Sequence, residues 1–277
     1  MSIQITTLSE NTAGSINVLA EWGLSILVEA DGYKILFDTG RSFSAAYNAL
    51  TLGVDLSQID KIVFSHGHFD HTGGLLYILK LIKSPVEVIA HPDIWASKYA
   101  KFPERGEEYI GVPFPQEAAE TLGASFNLTR EPVWISENIV TSGEIPMTNE
   151  YEKIDPILYV KEKGELKPDP LCDDQALFLK FEKGLIIILG CAHRGIINTI
   201  RHAQKLTGIE PVYAVIGGTH LIGASTQKMD STIAELQGVG IQKLGVSHCT
   251  GLPAASVLAR TFGEVFLFNN AGTRISL

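Results

Sequence analysis

Cysteine is scarce in this 277-residue chain: three thiols, an odd number, fit a reducing compartment better than a disulfide-stapled secreted domain. Positive charge is short as well. Lys and Arg number 22 against 31 Asp and Glu, a formal net charge of −9, so the general positive field that phosphate-backbone binding needs is missing. No nucleic-acid partner is expected. Apolar residues nowhere run to the roughly 18 that a spanning helix requires, and the opening MSIQITTLSENTAGSINVLA has neither a basic start nor an unbroken apolar stretch. No signal peptide, membrane anchor or membrane partner is expected, and the cytoplasm is the default location. Short tandem repeats, low-complexity tracts and a phosphate loop of the G-x-x-x-x-G-K type are also missing.

What the chain does have is 45% hydrophobic residues, enough to build the core of one large domain. Strands are expected at Leu24–Ala30 and Tyr33–Phe37, joined by Asp31-Gly32, a dipeptide suited to a tight hairpin. A helix over Ser42–Leu52, a strand at Lys61–Ser65, a helix over Thr72–Ile82 and a strand at Val86–Ala90 follow. From about 92 to 170 the pattern breaks down. Seven of the twelve prolines, at 103, 113, 115, 132, 146, 156 and 168, fall between Pro92 and Pro170, and the segment reads as an irregular insertion that shapes a substrate cleft. Its aromatic residues Trp95, Tyr99, Phe102, Tyr109, Phe114, Phe126 and Trp134 would suit stacking of a planar ring, or equally the packing of a small lobe.

Regularity returns with a second hairpin, Ala176–Phe181 and Leu185–Leu189. It is followed by helix Ile196–Leu206, strand Val212–Ile216, helix Ser231–Gln237, strand Lys243–Ser247, helix Ala254–Phe262 and strand Val265–Phe268. Paired strands first and strand–helix units afterwards, in both halves, indicate a mixed α/β sandwich with helices outside, in a single domain spanning 1–277.

Seven of the eight histidines lie just past an expected strand: His66, His68, His71, His91, His193, His220 and His248. Strand carboxyl ends are where α/β proteins collect ligands and catalytic groups. The densest group, Ser65-His66-Gly67-His68-Phe69-Asp70-His71, places three imidazoles and a carboxylate in a turn that Gly67 permits. There His66 and His68 can face one metal ion while Asp70 and His71 face another. Imidazole and carboxylate suit zinc, with iron and manganese as alternatives, and exclude an all-oxygen calcium site.

The run His66-x-His68-x-Asp70-His71 resembles the signature of the metallo-β-lactamase superfamily. The resemblance covers most of the chain and implies a four-layer αββα sandwich with mixed sheets. Gly23-Leu24-Ser25, Ile35–Gly40, Gly190–His193, Gly217–Leu221 and His248–Gly251 narrow it to the dihydropteroate-synthase-like branch, the 7,8-dihydropterin-6-methyl-4-(β-D-ribofuranosyl)aminobenzene-5'-phosphate synthase type. It implies one or two divalent metal ions, zinc first, held by His66, His68, Asp70, His71, Cys191 and His248, with Asp38 bracing the metal loop from behind. Cys191 stands where the superfamily usually has a bridging Asp. The His normally found before the second hairpin is missing from Leu171–Gln175: either Asp173, Asp174, His193 or His220 substitutes for it in the first metal's set, or nothing does and the site is mononuclear.

Metal held by neutral imidazoles activates water at neutral pH, so the leading expectation is a hydrolase in which the resulting hydroxide attacks a phosphoryl or carbonyl centre of a small molecule. Asp70, His193 and His220 are its catalytic candidates, and Arg194 is a candidate grip for an anionic group. The competing expectations are a transferase joining a phosphoribosyl donor to an aromatic amine, and a non-hydrolytic metal or redox protein. A homo-oligomer is compatible with the sequence.

Overall fold

Alternate residues of the early strands are apolar on both faces, and the structure, a computed structural model describing residues 2–277, buries both. β1 (Ile3–Ser9), β2 (Ser25–Ala30), β3 (Tyr33–Phe37), β4 (Lys61–Val63) and β5 (Val86–Ala90) belong to one sheet with β8 (Ala124–Leu128) and β17 (Arg274–Ser276). Its order is β17-β1-β2-β3-β4-β5-β8. A second sheet holds β9 (Ile139–Thr141), β12 (Ala176–Phe181), β13 (Gly184–Leu189), β14 (Val212–Gly218), β15 (Lys243–Ser247) and β16 (Phe266–Phe268), in the order β16-β15-β14-β13-β12-β9.

Ile26, Val28, Ile35, Phe37 and Val63 from the first sheet meet Leu177, Leu179, Ile186, Ile188 and Ile216 from the second in one buried cluster. The outer faces are covered by helices. Leu27, Leu36, Ile62 and Val88 pack under α1 (Ser44–Thr51), α3 (Leu75–Ile82) and α4 (Gln116–Thr121). Phe178, Leu185, Ile187 and Val215 pack under α5 (Ile196–Thr207), α6 (Thr226–Val239) and α7 (Leu252–Phe262). Layers therefore run helix, sheet, sheet, helix, the αββα sandwich expected from the sequence. Both hairpins form, with Asp31 (φ 53°) and Gly32 (φ 81°) in the left-handed region that such a turn demands.

Three expectations change. The segment 92–170 is ordered: besides α4, β8 and β9, it contains β6 (Lys98–Phe102), β7 (Gly106–Tyr109), β10 (Leu158–Glu162) and β11 (Glu165–Pro168), a third sheet of order β11-β10-β6-β7. Its strands are four or five residues long, with β7 and β11 mostly exposed, so no alternation long enough to read survives between the prolines. The helix expected at Thr72–Ile82 is two helices, α2 (Phe69–Thr72) and α3, separated at Gly73-Gly74. A Cβ on Gly73 would lie 2.1 Å from the Arg41 carbonyl oxygen and one on Gly74 1.9 Å from that of Thr39, so this closeness requires glycine. β1, unrecognised in the sequence, pairs with β2 along almost its whole length. No helix among the described residues is long and apolar enough to cross a membrane.

Candidate metal centre

The strand ends that carry the histidines converge. From the loop after β4, His66 Nε2 lies 3.0 Å from His68 Nδ1, and from the loop after β13, His193 Nε2 lies 3.2 Å from the same His66 nitrogen. These three form one donor group with every pair of donor atoms within 4.8 Å. Asp70, His71 and His248 form a second, in which His71 Nε2 is 3.2 Å from His248 Nε2 and Asp70 Oδ2 is 3.3 Å from that same His248 atom. Cys191 joins the two: its sulfur is 3.1 Å from His71 Nε2 and shares further groups with His66 and with His193.

Proton positions follow from the partners on the far side of each ring. Ser65 Oγ has one proton, given to Asp38 Oδ2 at 2.7 Å, so at 2.8 Å it must accept from His66 Nδ1. His71 Nδ1 donates to Asp38 Oδ2 at 2.7 Å, and His248 Nδ1 donates to Asn11 Oδ1 at 3.0 Å. With Nδ1 carrying a proton in all three, His66, His71 and His248 each turn Nε2 inward as the atom that can bind metal, beside a thiol and a carboxylate. His68 Nε2 and His193 Nδ1 are buried without partners. Burial, then the neighbouring cationic groups, push His66 and His193 well below the usual histidine range and His68 down to about 3. Three buried imidazoles held in their neutral form, with ring nitrogens crowded at 3.0–3.2 Å, are what a cation requires and what an apolar core would not tolerate, so this donor set fits divalent metal.

Burial lowers His71, but the buried Asp38 carboxylate against its Nδ1 outweighs this and lifts it to about 9. Asp38 also accepts the Ser65 amide at 2.7 Å, so one carboxylate sets the tautomer and angle of two rings. Asp38→Asn is expected to weaken metal affinity roughly 10–100-fold, read by competition with a chromophoric chelator; an unchanged affinity would show Asp38 to be only structural.

Backbone strain is concentrated at the same place. Asp38, Ala192, His220 and His248 all have φ between 45° and 60°, a region L residues avoid unless their surroundings hold them there. His248 is held by Glu10, which accepts its amide at 2.7 Å.

Other candidates fall elsewhere. Asp173 and Asp174 do not enter the donor groups: Asp173 accepts the Gly67 amide at 2.8 Å and Lys98 Nζ at 2.8 Å, and Asp174 accepts the Arg194 amide at 2.8 Å. Arg194 turns away from the cleft to the carbonyls of Ile145 and Pro170, so it is a loop brace. His91 bonds Glu144 and the Asp93 amide, and His202 bonds the Ser142 carbonyl; neither reaches the centre. Trp95, Phe114 and Phe126 pack against the helix-covered face of the first sheet, the packing alternative for those aromatics.

A cavity of about 550 Å³ opens over the donors. Trp22, Phe69 and Phe102 line it together with Arg41, Arg105, Asp155 and His220. Arg41 lies over the Phe69 ring at 5.0 Å and Arg105 over Phe102 at 4.2 Å. Trp22 donates its indole N–H to Asp70 Oδ2 at 2.9 Å. The His220 ring lies against that of His193, tilted 47° with centroids 4.2 Å apart, and neither of its ring nitrogens has a hydrogen-bond partner; Asp155 Oδ2 stands 3.9 Å away. Burial lowers this imidazole, but Asp155 and Cys249 outweigh it and lift it to about 9.

The comparisons with known proteins agree with this geometry. Residues 23–156 match the family model of the metallo-β-lactamase superfamily. The 7,8-dihydropterin-6-methyl-4-(β-D-ribofuranosyl)-aminobenzene-5'-phosphate synthase of Methanocaldococcus jannaschii is 39% identical over 98% of this chain and 95% of its own length. The chain belongs to the metallo-β-lactamase superfamily. Among solved structures of this superfamily, a metal-dependent hydrolase is 27% identical, with a TM-score of 0.86 over 99% of both chains. A diphosphatase of the PhnP family, 15% identical with a TM-score of 0.58 over 100% of this chain and 98% of its own, shares the fold.

In this superfamily chain, Trp22, Asn11, Glu10, Lys98 and Cys249 were not legible as site residues. Glu10 and Asn11 follow the unrecognised β1, and Lys98 sits inside the segment expected to be irregular. A faint signal existed for Cys249, which adjoins the expected ligand His248.

The donor states imply a pH profile for the metal-free protein. His68, at about 3 when folded against 6.5 unfolded, resists protonation only in the folded state, so stability falls as pH drops from about 6.5 towards 3, with His66 and His193 acting in the same direction. His71 and His220 have the opposite sign: their contribution is complete below pH 6.5 and is lost as pH rises through about 9. Denaturant midpoints of chelated protein should therefore peak between these limits; a midpoint that does not move with pH would contradict both.

Proposed function

We propose that the chain is a metal-dependent synthase that joins an aromatic amine bearing a sugar phosphate to a pterin-like partner. The carrying observation is the 39% identity over 98% of the chain to a synthase whose named product contains a dihydropterin, an aminobenzene and a ribose 5'-phosphate. The cavity supports it: aromatic walls for planar rings, with guanidinium groups of Arg41 and Arg105 in the same lining for a phosphate.

His66, His68 and His193 would hold one divalent ion, and Asp70, His71, His248 and Cys191 a second. Bound there, metal supplies Lewis acidity that polarises a substrate oxygen and balances charge on a departing group. His193, a catalytic candidate in the sequence, is in this reading a ligand that fills the missing position. His220 takes over the proton: it faces the cavity 3.9 Å from the Asp155 carboxylate, and with its imidazole lifted to about 9 it can hold an anionic oxygen or protonate one as it leaves. Trp22, Phe69 and Phe102 seat the rings and keep water from the reacting carbon.

Hydrolysis is the second reading, favoured by the metal-dependent hydrolase that shares the whole fold at 27% identity. One assay separates them. Metal-loaded protein is incubated with a dihydropterin whose 6-methyl carbon carries diphosphate and with ribofuranosylaminobenzene 5'-phosphate; a parallel arm offers a phosphoribosyl donor and an aromatic amine. Conjugate formed with equimolar pyrophosphate only when the amine is present supports the synthase. Leaving-group release that ignores the amine, without conjugate, would overturn it in favour of hydrolysis.

A further inference from the structure

Two sulfurs face this centre, and the superfamily resemblance accounts for one. Cys249 follows His248 in the turn after β15, and its sulfur, the Cys191 sulfur and a His248 nitrogen all lie within 4.8 Å of one another. Tetrahedral zinc with sulfur at about 2.3 Å and nitrogen at about 2.0 Å has donor-to-donor edges of roughly 3.5–3.8 Å, so these atoms need only small shifts to share one ion. Room for the sulfur is built in: a Cβ on Gly218 of β14 would lie 2.6 Å from Cys249 Sγ and 3.3 Å from Cys191 Cα. Cys249 Sγ already accepts the His220 amide at 3.2 Å, the kind of bond that favours a thiolate. It is buried, and it lines the same cavity as His193, His220 and His248.

We propose that Cys249 is a metal ligand alongside Cys191 and His248, giving one of the two metal positions a two-sulfur donor set. On binding, each Sγ–H bond is replaced by a sulfur–metal bond and its proton passes to solvent; no electron moves. Two thiolates select a soft or borderline ion, zinc, iron(II) or cobalt(II), over magnesium or manganese, so this site decides which metal the protein carries. The inference rests on the metal-centre reading and is independent of the synthase reaction.

Cobalt(II) substitution tests it without any turnover. The third thiol, Cys172, lies beside Arg194 Nη1 at 3.8 Å and outside every donor group, so sulfur-to-cobalt charge transfer in the near ultraviolet comes from Cys191 and Cys249 alone. C249S and C191S are each expected to lose a large part of that band per bound cobalt, and C249S to lose much of the preference for zinc over manganese in competition titrations. C249A, with circular dichroism as the check on folding, should repeat the C249S result. A band of wild-type intensity in folded C249S and C249A would overturn the Cys249 assignment and leave the metal centre intact. Failure of the wild-type protein to take up cobalt would overturn both.

Discussion

Stripping divalent metal from the purified protein is expected to abolish product formation and to lower the thermal midpoint by roughly 10 °C. The second effect follows from mass action. An ion present at about a thousand times its dissociation constant stabilises the folded state by about 4 kcal/mol, and a domain of this size shifts by roughly 2–4 °C per kcal/mol. The ligands make the loss global. His66, His68, Asp70 and His71 follow a strand of the first sheet, while Cys191, His193 and His248 follow strands of the second, so the group of His66, His68 and His193 and that of Asp70, His71 and His248 exist only once the sheets have packed. Chelated protein should regain activity and midpoint when zinc, iron(II) or manganese is returned separately, and the order of recovery reports the preferred ion. Demetallated protein, verified by elemental analysis, that keeps its midpoint and activity would remove the metal from both stability and chemistry.

Lys98→Met should be the most damaging single change outside the donors, at about 3–5 kcal/mol. Lys98 is 1% exposed and pairs with Asp169 Oδ2 at 2.9 Å and Asp173 Oδ1 at 2.8 Å. Removing the ammonium leaves two buried carboxylates facing each other without a counter-charge, and that penalty, more than the lost contacts, sets the magnitude. Asp173 also accepts the Gly67 amide, so the disturbance reaches the residue between His66 and His68. A second, distinguishing readout is therefore expected: weaker metal affinity in Lys98→Met, partly restored when Asp169→Asn removes one of the stranded charges. A denaturant midpoint and metal affinity both close to wild type would show that the pair is solvated and of no consequence.

What was legible in the sequence divides by range along the chain. The turn His66–His71 places four donors within six positions, so spacing alone announced it. The partner of His66 comes from His193, 127 residues further on, and no local pattern encodes that distance. Asp173 and Asp174, closer to where the superfamily's missing histidine would sit, were equally plausible on spacing; the charge of Lys98, arriving from another sheet, assigns Asp173 a structural task. Strands with both faces buried, such as Gly184–Leu189, were plain because every residue is apolar. The short strands of the third sheet were hidden because β7 and β11 are mostly exposed and β6 and β10 are only five residues long, with prolines in and around them.

That third sheet contributes no donor atom, yet Ala100, Phe102, Glu108 and Leu158 from its strands form part of the cavity wall. The molecule is thus divided between a sandwich that owns the metal-donor groups and an appended panel that faces whatever enters. Drift in the panel would change the guest while leaving the ions where they are, provided Lys98, the pin between them, is kept. Synthase and hydrolase names on chains that share one frame are what such a division of labour would produce.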